Sequence, residues 1–247
     1  MSYSQTDAIR AGYNPHENGG TMALPIYQST AYAFEDADHA ADLFALRRLG
    51  HIYTRLHNPT TTVVENRFAK LEDGAMAIFT ASGSSAIFYS LINLLESGDN
   101  FIAAKNLYGG SMTLFAHTLK RFGMQVRWYS EPEEIEALID DKTKAIFFES
   151  LSNPGIELQD FDKITAIAKK HKIITIVDNT VATPALFKPF EYGIDVSVYS
   201  ERKINIAAST PAAAWIDEGE ALTFGDAKFD QINLAAHKLH VAVKVTE

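Results

Sequence analysis

The chain has 247 residues, of which 47% are hydrophobic, a formal net charge of −9 at pH 7 and no cysteine. That length and apolar fraction are sufficient for one large globular domain or two small ones. The acidic balance argues against a nucleic-acid or anionic-membrane surface, and the lack of cysteine excludes disulfides, thiolate metal sites and cysteine nucleophiles. No apolar run is long enough to span a bilayer, and the first ten residues lack a signal-peptide core, so we expect a cytoplasmic protein.

Residues 1–55 are predicted to form an arm rather than a compact core. Glycine and proline interrupt the segment repeatedly, at Gly12, Pro15, Gly19 and Pro25 among others. The clear helical pattern in this region covers residues 36–49, where alanine, phenylalanine and leucine can share one face.

A possible anion clamp follows the arm. Pro59 can occupy the first turn of a helix, so Tyr53 and Arg55 are expected in an extended piece just before it, with their side chains pointing the same way. An arginine beside a phenol can bind a phosphate. A surface arginine next to a half-buried tyrosine is the alternative interpretation of this pair taken alone.

From Gly74 onward, short apolar runs alternate with helical patterns. The predicted strands cover residues 75–80, 101–104, 125–129, 145–148, 173–177 and 196–199, and the predicted helices cover residues 85–95, 112–122 and 160–170. Strands alternating with helices of this length indicate an α/β fold with a mostly parallel sheet and right-handed crossovers.

Polar residues follow five of these strands. In open α/β sheets the ligand crevice lies outside the carboxyl ends of the strands, so we expect these residues to outline one pocket. They are Ser82, Gly83, Ser84, Tyr108, Glu149, Asn153, Asp178, Ser200 and Lys203. The turn at Ser82–Ser84 precedes a helix and could bind a phosphate through backbone N–H groups, although a serine N-cap without a ligand is the alternative.

Asp178 and Lys203 suggest the chemistry of this pocket. A carboxylate can hold a protonated pyridine nitrogen, and a lysine amine can form an imine. Together these two groups are what a pyridoxal phosphate enzyme requires. Taken singly, Asp178 could be a turn aspartate and Lys203 a solvated surface lysine.

Six separated segments carry a resemblance to a known family. They are YTRLHNPTT, TASGSSA, NLYGGS, FFESLSNP, IVDNTVATP and VSVYSERK, in that order. With them, residues 1 to about 203 resemble the arm and cofactor-binding domain of the Cys/Met-metabolism family of pyridoxal phosphate enzymes. The resemblance implies the large-domain fold of fold-type I pyridoxal-phosphate-dependent transferases.

The resemblance also implies a role for each site residue. Gly83, Ser84 and Ser200 would bind the cofactor phosphate of their own subunit, whereas Tyr53 and Arg55 would reach that of a neighbouring subunit in a dimer or tetramer. Tyr108 would stack on the ring and assist proton transfer, and Asp178 would hold the ring N–H. Asn153 would bind the substrate carboxylate, and Lys203 would be the Schiff-base lysine.

The activity implied by the resemblance is replacement of the γ-acetoxy group of O-acetylhomoserine by sulfide, which yields homocysteine for methionine biosynthesis. A cystathionine γ-synthase or γ-lyase activity is an alternative, as is a cofactor-fold fragment without turnover. No nucleic acid, membrane or metal is expected to take part; His237 and His240 are interpreted as a polar strand face.

The likeness to the family ends near residue 203. Arg202 replaces the family's phosphate-binding threonine, no glycine-rich loop follows, and the family's C-terminal domain is not recognisable. Residues 204–247 are predicted to be an unrelated β-rich tail, with an alternating strand at residues 240–245. From about residue 209 the tail resembles a fragment of a tailed-phage major capsid protein, which leaves a chimera or a structural assembly role as further alternatives.

Overall fold

The computed structural model describes residues 5–200 and the backbone of residues 239–243. These parts of the chain contain one seven-stranded sheet in the order β1-β7-β6-β5-β4-β2-β3. The strands are β1 Met76–Thr80, β2 Asn100–Ala104, β3 Gln125–Tyr129, β4 Thr143–Glu149, β5 Ile174–Asp178, β6 Val196–Val198 and β7 Leu239–Val243.

The described parts also contain eight α-helices, of which three precede β1. They are α1 Gln5–Arg10, α2 Ala37–Phe44, α3 Pro59–Glu72, α4 Gly83–Ile92, α5 Gly109–Thr113, α6 Ile135–Leu138, α7 Phe161–His171 and α8 Thr183–Leu186. Helix α5 continues as a π-helical turn, Leu114–Leu119. Short 3₁₀ segments cover Pro15–Asn18, Pro132–Glu134 and Pro189–Tyr192. None of the helices in the described part of the chain is long and apolar enough to cross a membrane.

The predicted α/β class with a mostly parallel sheet is confirmed. Strands β2 to β6 pair in parallel with their neighbours, whereas β7 lies antiparallel between β1 and β6. Because β7 runs opposite to both, β1 is parallel to the rest. The carboxyl ends of six strands therefore meet at one edge of the sheet.

The core lies on both faces of the central strands. Every residue of β2 is buried, as are the last five residues of β4. Phe115 packs edge-on against Phe101 and Phe147, with ring centroids 5.0 and 4.9 Å apart. Strands buried on both faces form apolar runs without alternation, which is why the sequence locates them well.

Three predicted helices differ from the structure, and the one expected over residues 85–95 covers Gly83–Ile92. The helix expected over residues 36–49 begins after the N-cap Asp36 but ends at Phe44, because the chain turns back at Leu46 with a left-handed φ of 56°. The helix expected over residues 112–122 begins earlier, at Gly109, and changes to π-helical geometry at Leu114. Apolar spacing of three and four residues does not distinguish these endings from a regular helix.

The prediction of an extended backbone through Tyr53 and Arg55 is wrong. Tyr53 forms an isolated antiparallel bridge with Ala31, but the next three residues form a turn. The backbone N–H groups of Leu56 and His57 both donate to the Tyr53 carbonyl, at 2.8 and 3.0 Å. The turn nevertheless places the Arg55 guanidinium 5.2 Å from the centre of the Tyr53 ring.

The N-terminal segment contacts the rest of the chain mainly at α3. The Arg67 Nε donates to the carbonyl oxygen of Ala11 at 2.9 Å. Gly12 has a φ of 77°, and a Cβ there would lie 2.5 Å from the carbonyl oxygen of Val63. A side chain at position 12 would therefore prevent this close approach of the arm to α3.

Strand β7 is the part of the predicted tail that the structure describes. Strand β7 overlaps the alternating run predicted at residues 240–245 and pairs with β1 and β6. Residues 201–238, which include Arg202, Lys203 and His237, lie outside the described residues. The domain boundaries at 55 and 203 and the capsid resemblance stay predictions.

Candidate functional site

A cleft of about 540 Å³ opens at the carboxyl edge of the sheet. It is lined by Ser82, Gly83, Ser84, Ile87, Tyr108, Ser111, Glu149, Leu151, Asn153, Asp178, Thr180, Val181 and Ser200. Cofactor pockets in proteins commonly have volumes of about 300–1,000 Å³. The structure thus brings residues predicted after five different strands into one cleft, whereas Lys203, also predicted there, lies outside the described residues.

Helix α4 supplies one end of the cleft. Ser82 is its N-cap, and the Ser82 hydroxyl accepts a hydrogen bond from the Ser85 backbone N–H at 3.1 Å. The backbone N–H groups of Gly83 and Ser84, in the first turn, have no partner within the helix. These two groups and the positive end of the helix dipole can bind a phosphate.

Asp178 ends strand β5 and faces the cleft. Its Oδ1 accepts hydrogen bonds from the Thr180 backbone N–H at 3.0 Å and from the Thr180 hydroxyl at 2.5 Å. The same hydroxyl accepts from the Ser200 backbone N–H at 2.7 Å. Thr180 therefore ties the ends of β5 and β6 together and holds one oxygen of the carboxyl group.

Burial raises the pKa of Asp178, and the two hydrogen bonds from Thr180 oppose that rise only in part. A buried carboxyl of this kind is ionised most readily when a cation approaches it. The protonated nitrogen of a pyridine ring is such a cation. Asp178 is therefore suited to hold a ring N–H at the floor of the cleft.

Tyr108 lies at the mouth of the cleft, immediately before α5. Its side chain is half-exposed, and the backbone N–H donates to Glu149 Oε1 at 2.7 Å. A Cβ on Gly110 would lie 2.4 Å from the Tyr108 ring. The glycine at position 110 therefore leaves room for the ring in this orientation.

Besides Thr180, two polar residues of the cleft have no role predicted from the sequence. Glu149 is buried at the end of β4, where its two oxygens accept from the backbone N–H groups of Tyr108 and Asn153. The Ser111 hydroxyl is buried and has no hydrogen-bond partner among the described residues. The available signal for Ser111 is its position in the first turn of α5, directly after Tyr108 at the carboxyl edge of the sheet.

Tyr53 and Arg55 do not line this cleft. They contact each other at the turn that precedes α3. The structure therefore separates them from the described site within one chain. Groups of three or more potential metal ligands are also absent from the residues described.

The residues present fit pyridoxal phosphate. Free N–H groups at the start of α4 suit its phosphate, the buried carboxyl of Asp178 suits its ring nitrogen, and the orphaned Ser111 hydroxyl has room for a polar partner. A largely parallel seven-stranded sheet with its cleft at the carboxyl edge is the large-domain architecture of fold-type I pyridoxal-phosphate-dependent enzymes. The chain belongs to the family described as Cys/Met metabolism PLP-dependent enzymes, which it matches over residues 5–205.

Several members of the family are similar to this chain. It is 38% identical to O-acetyl-L-homoserine sulfhydrylase of Leptospira meyeri over 227 residues. This match covers 91% of this chain and 51% of the relative. It is 39% identical over 225 residues to homocysteine/cysteine synthase of Saccharomyces cerevisiae, covering 89% of this chain and 51% of the relative. The chain therefore spans about half the length of these relatives.

A solved structure shows the same fold. An O-acetylhomoserine (thiol)-lyase of Campylobacter jejuni superimposes with a TM-score of 0.82 and 43% sequence identity, covering 99% of this chain and 55% of that one. That structure carries a pyridoxyl-lysine monophosphate.

Proposed function

We propose that this chain forms the cofactor-binding part of an enzyme that replaces the γ-acetoxy group of O-acetylhomoserine with sulfide, which yields homocysteine and acetate. The observation that carries the proposal is the single cleft in which the α4 N-terminus and the buried Asp178 carboxyl face a common space. The names of the similar proteins from Leptospira meyeri and Saccharomyces cerevisiae support the choice of reaction.

The positions of the described residues support the following proposed roles. The N–H groups of Gly83 and Ser84 and the Ser200 hydroxyl bind the phosphate, and Asp178 holds the ring N–H. Tyr108 covers the ring from the cleft mouth, and Asn153 binds the substrate carboxylate. Bound pyridoxal phosphate supplies an electron sink for the pair left when the substrate Cα loses its proton.

Lys203 is proposed to attach the cofactor. It lies three residues beyond Ser200, outside the described residues. The pyridoxyl-lysine in the similar Campylobacter jejuni structure supports this role. As a neutral amine, Lys203 would also accept the proton removed from the substrate Cα.

Replacing Asp178 with asparagine tests cofactor binding. Asparagine has a similar shape but cannot offer a charge-assisted hydrogen bond to a ring N–H, and such bonds contribute about 1.5–3 kcal/mol. We expect the Kd for pyridoxal phosphate, measured by absorbance titration, to rise about 10- to 100-fold. The matched control is Asp141→Asn, at an exposed aspartate outside the cleft, which should bind as the wild type does.

The reaction itself is tested by supplying the cofactor-loaded chain with O-acetylhomoserine and, in separate assays, sulfide or cysteine. Homocysteine formation would support the full proposal, whereas cystathionine formation from cysteine would favour a synthase relative. Cofactor binding without any product would restrict the proposal to the binding part. Failure of the wild type to bind pyridoxal phosphate would overturn it.

We also propose that the site is completed by a second copy of the chain. Large apolar side chains of the N-terminal segment are strongly exposed, including Leu46 at 81% and Leu49 at 92%. An apolar surface of this kind marks an interface in a stable protein. Tyr53 and Arg55 lie on the same segment and away from their own cleft, so an isologous dimer would bring them to the partner's cleft.

Complementation between two variants tests this arrangement. Arg55→Ala and Asp178→Asn should each bind pyridoxal phosphate weakly as homo-oligomers, whereas the exposed Arg121→Ala should be unaffected. When the two weak variants are co-expressed, each mixed dimer contains one cleft with Asp178 intact and Arg55 supplied by the other chain. We expect about one high-affinity site per mixed dimer, and no recovered site would contradict the exchange of Arg55 between chains.

A further inference from the structure

Glu149 connects the two loops that border the cleft. Its Oε1 accepts from the backbone N–H of Tyr108 at 2.7 Å, and its Oε2 accepts from the backbone N–H of Asn153 at 2.9 Å. Tyr108 is 41 residues away along the chain and follows β2, whereas Asn153 follows β4 itself. One buried side chain therefore fixes the backbone on two sides of the same cleft.

The arrangement requires a carboxylate rather than an amide. Both partners are N–H donors, so both side-chain oxygens at position 149 must act as acceptors. Glutamine would offer one acceptor oxygen and would turn its NH₂ group toward the other backbone N–H. A leucine would satisfy neither donor and would leave two buried N–H groups unpaired.

Tyr108 depends on this contact for its placement. The Tyr108 hydroxyl makes no hydrogen bond to any residue the structure describes, and the side chain is half-exposed. Its backbone is held by the bond from N–H to Glu149 and by the bond from the Met112 N–H to its carbonyl oxygen at 3.1 Å. Loss of the first bond would free the residue at the point where α5 begins.

We propose that Glu149 is a positioning residue, which holds Tyr108 and Asn153 in the places where they contact the cofactor and substrate. The inference rests on the proposed function for the identity of the ligand, but the two hydrogen bonds exist without it. Glu149 does not touch the reacting atoms in this role. It acts through the two residues that do.

The charge of Glu149 depends on pH near neutrality. Burial, aided by the negative charge of Asp178, raises its pKa to about 7, against the lowering effect of its two hydrogen bonds. The ionisable groups that line the cleft beside it are the Asp178 carboxyl and the Tyr108 phenol. Protonation of Glu149 turns one acceptor oxygen into a hydroxyl, so one of the two N–H groups loses its partner below about pH 7.

Hydrogen exchange in the cofactor-free protein tests the positioning role directly. We expect Glu149→Gln to speed amide exchange at Tyr108 and Asn153 at least tenfold, after correction for intrinsic rates, while the amides of β2 and β4 stay protected. Wild-type protection at the two sites should fall between pH 8 and pH 6, and that of the variant should not. The matched control is Glu131→Gln, at an exposed glutamate outside the cleft.

Cofactor affinity supplies the second measurement. We expect Glu149→Gln to weaken pyridoxal phosphate binding about tenfold and Glu149→Asp, which keeps the charge but is shorter, to recover part of the loss. If Glu149→Gln leaves amide exchange at Tyr108 and Asn153 unchanged, the inference is overturned. It is also overturned if exchange becomes faster while the affinity for pyridoxal phosphate stays the same. If the wild type binds no pyridoxal phosphate, the proposed function fails, while the exchange result still decides whether Glu149 holds the two loops.

If Glu149→Gln does not fold, as judged by loss of protection throughout the sheet, the Glu149→Asp variant carries the test. It should protect one of the two amides and expose the other, because one methylene less prevents simultaneous contact. If the Tyr108 and Asn153 amides both stay fully protected in Glu149→Asp, their protection does not require simultaneous hydrogen bonds to the Glu149 side chain, and the inference is contradicted.

Discussion

Replacing Glu72 with glutamine is expected to raise the free energy of unfolding relative to the wild type, by about 3.5 kcal/mol more at pH 8 than at pH 5. Glu72 is completely buried at the end of α3, where burial raises its pKa from 4.5 to about 8. Its Oε1 receives a weak contact from Asn179 Nδ2 at 3.5 Å, and its Oε2 has no partner among the described residues. The folded protein therefore keeps the Glu72 carboxyl mainly protonated at pH 7.

The sign of the effect follows from proton binding. The unfolded chain releases the Glu72 proton near pH 4.5, whereas the folded chain releases it only near pH 8. The stabilising contribution of the protonated group is thus complete below pH 4.5 and is lost as pH rises to about 8, by about 1.4 kcal/mol per pH unit. Glutamine has nearly the same shape and does not titrate, so its contribution stays constant.

Urea denaturation of both proteins at a series of pH values checks this expectation. The free energy of unfolding of the variant minus that of the wild type should rise steadily between pH 5 and pH 8. Glu131→Gln, at an exposed position, should show a flat difference. Parallel pH profiles for Glu72→Gln and the wild type would mean that Glu72 is ionised in the folded protein.

Glu72 also shows what the sequence could not reveal. In the sequence it is a charged residue near the end of a helical pattern, a place usually exposed to solvent. It is buried because Asn179, next to Asp178, donates hydrogen bonds to the Phe187 carbonyl oxygen and to the Tyr199 hydroxyl, which brings these segments together over α3. Contacts between residues more than 100 positions apart leave no local pattern.

The sheet was far easier to predict. Strands such as β2 and β5 are buried on both faces, so their apolar runs are visible without knowledge of their neighbours. The site residues at the strand ends then follow from the parallel topology, and Tyr108, Asn153 and Asp178 do line one cleft. The position of β7 between β1 and β6 could not be inferred, because pairing depends on edges formed far apart in the chain.

Replacing Lys203 with alanine is expected to abolish covalent attachment of the cofactor. In the proposed role, the lysine amine would condense with the pyridoxal phosphate aldehyde with loss of water, and borohydride would reduce the resulting carbon–nitrogen double bond so that it no longer hydrolyses. Ser200, the last residue described before Lys203, lies on the cleft. Three residues span at most about 10 Å, so we expect the Lys203 amine to reach the cleft.

Mass spectrometry of borohydride-treated protein measures the result. The wild type should carry one pyridoxyl-phosphate label on the peptide that contains Lys203, and Lys203→Ala should carry none, although it should still bind the cofactor reversibly through the α4 N-terminus and Asp178. Lys142→Ala, at an exposed lysine outside the cleft, should be labelled as fully as the wild type. A label that persists in Lys203→Ala would assign the attachment to another lysine. An unlabelled wild type that binds the cofactor would mean that the Lys203 amine does not enter the cleft.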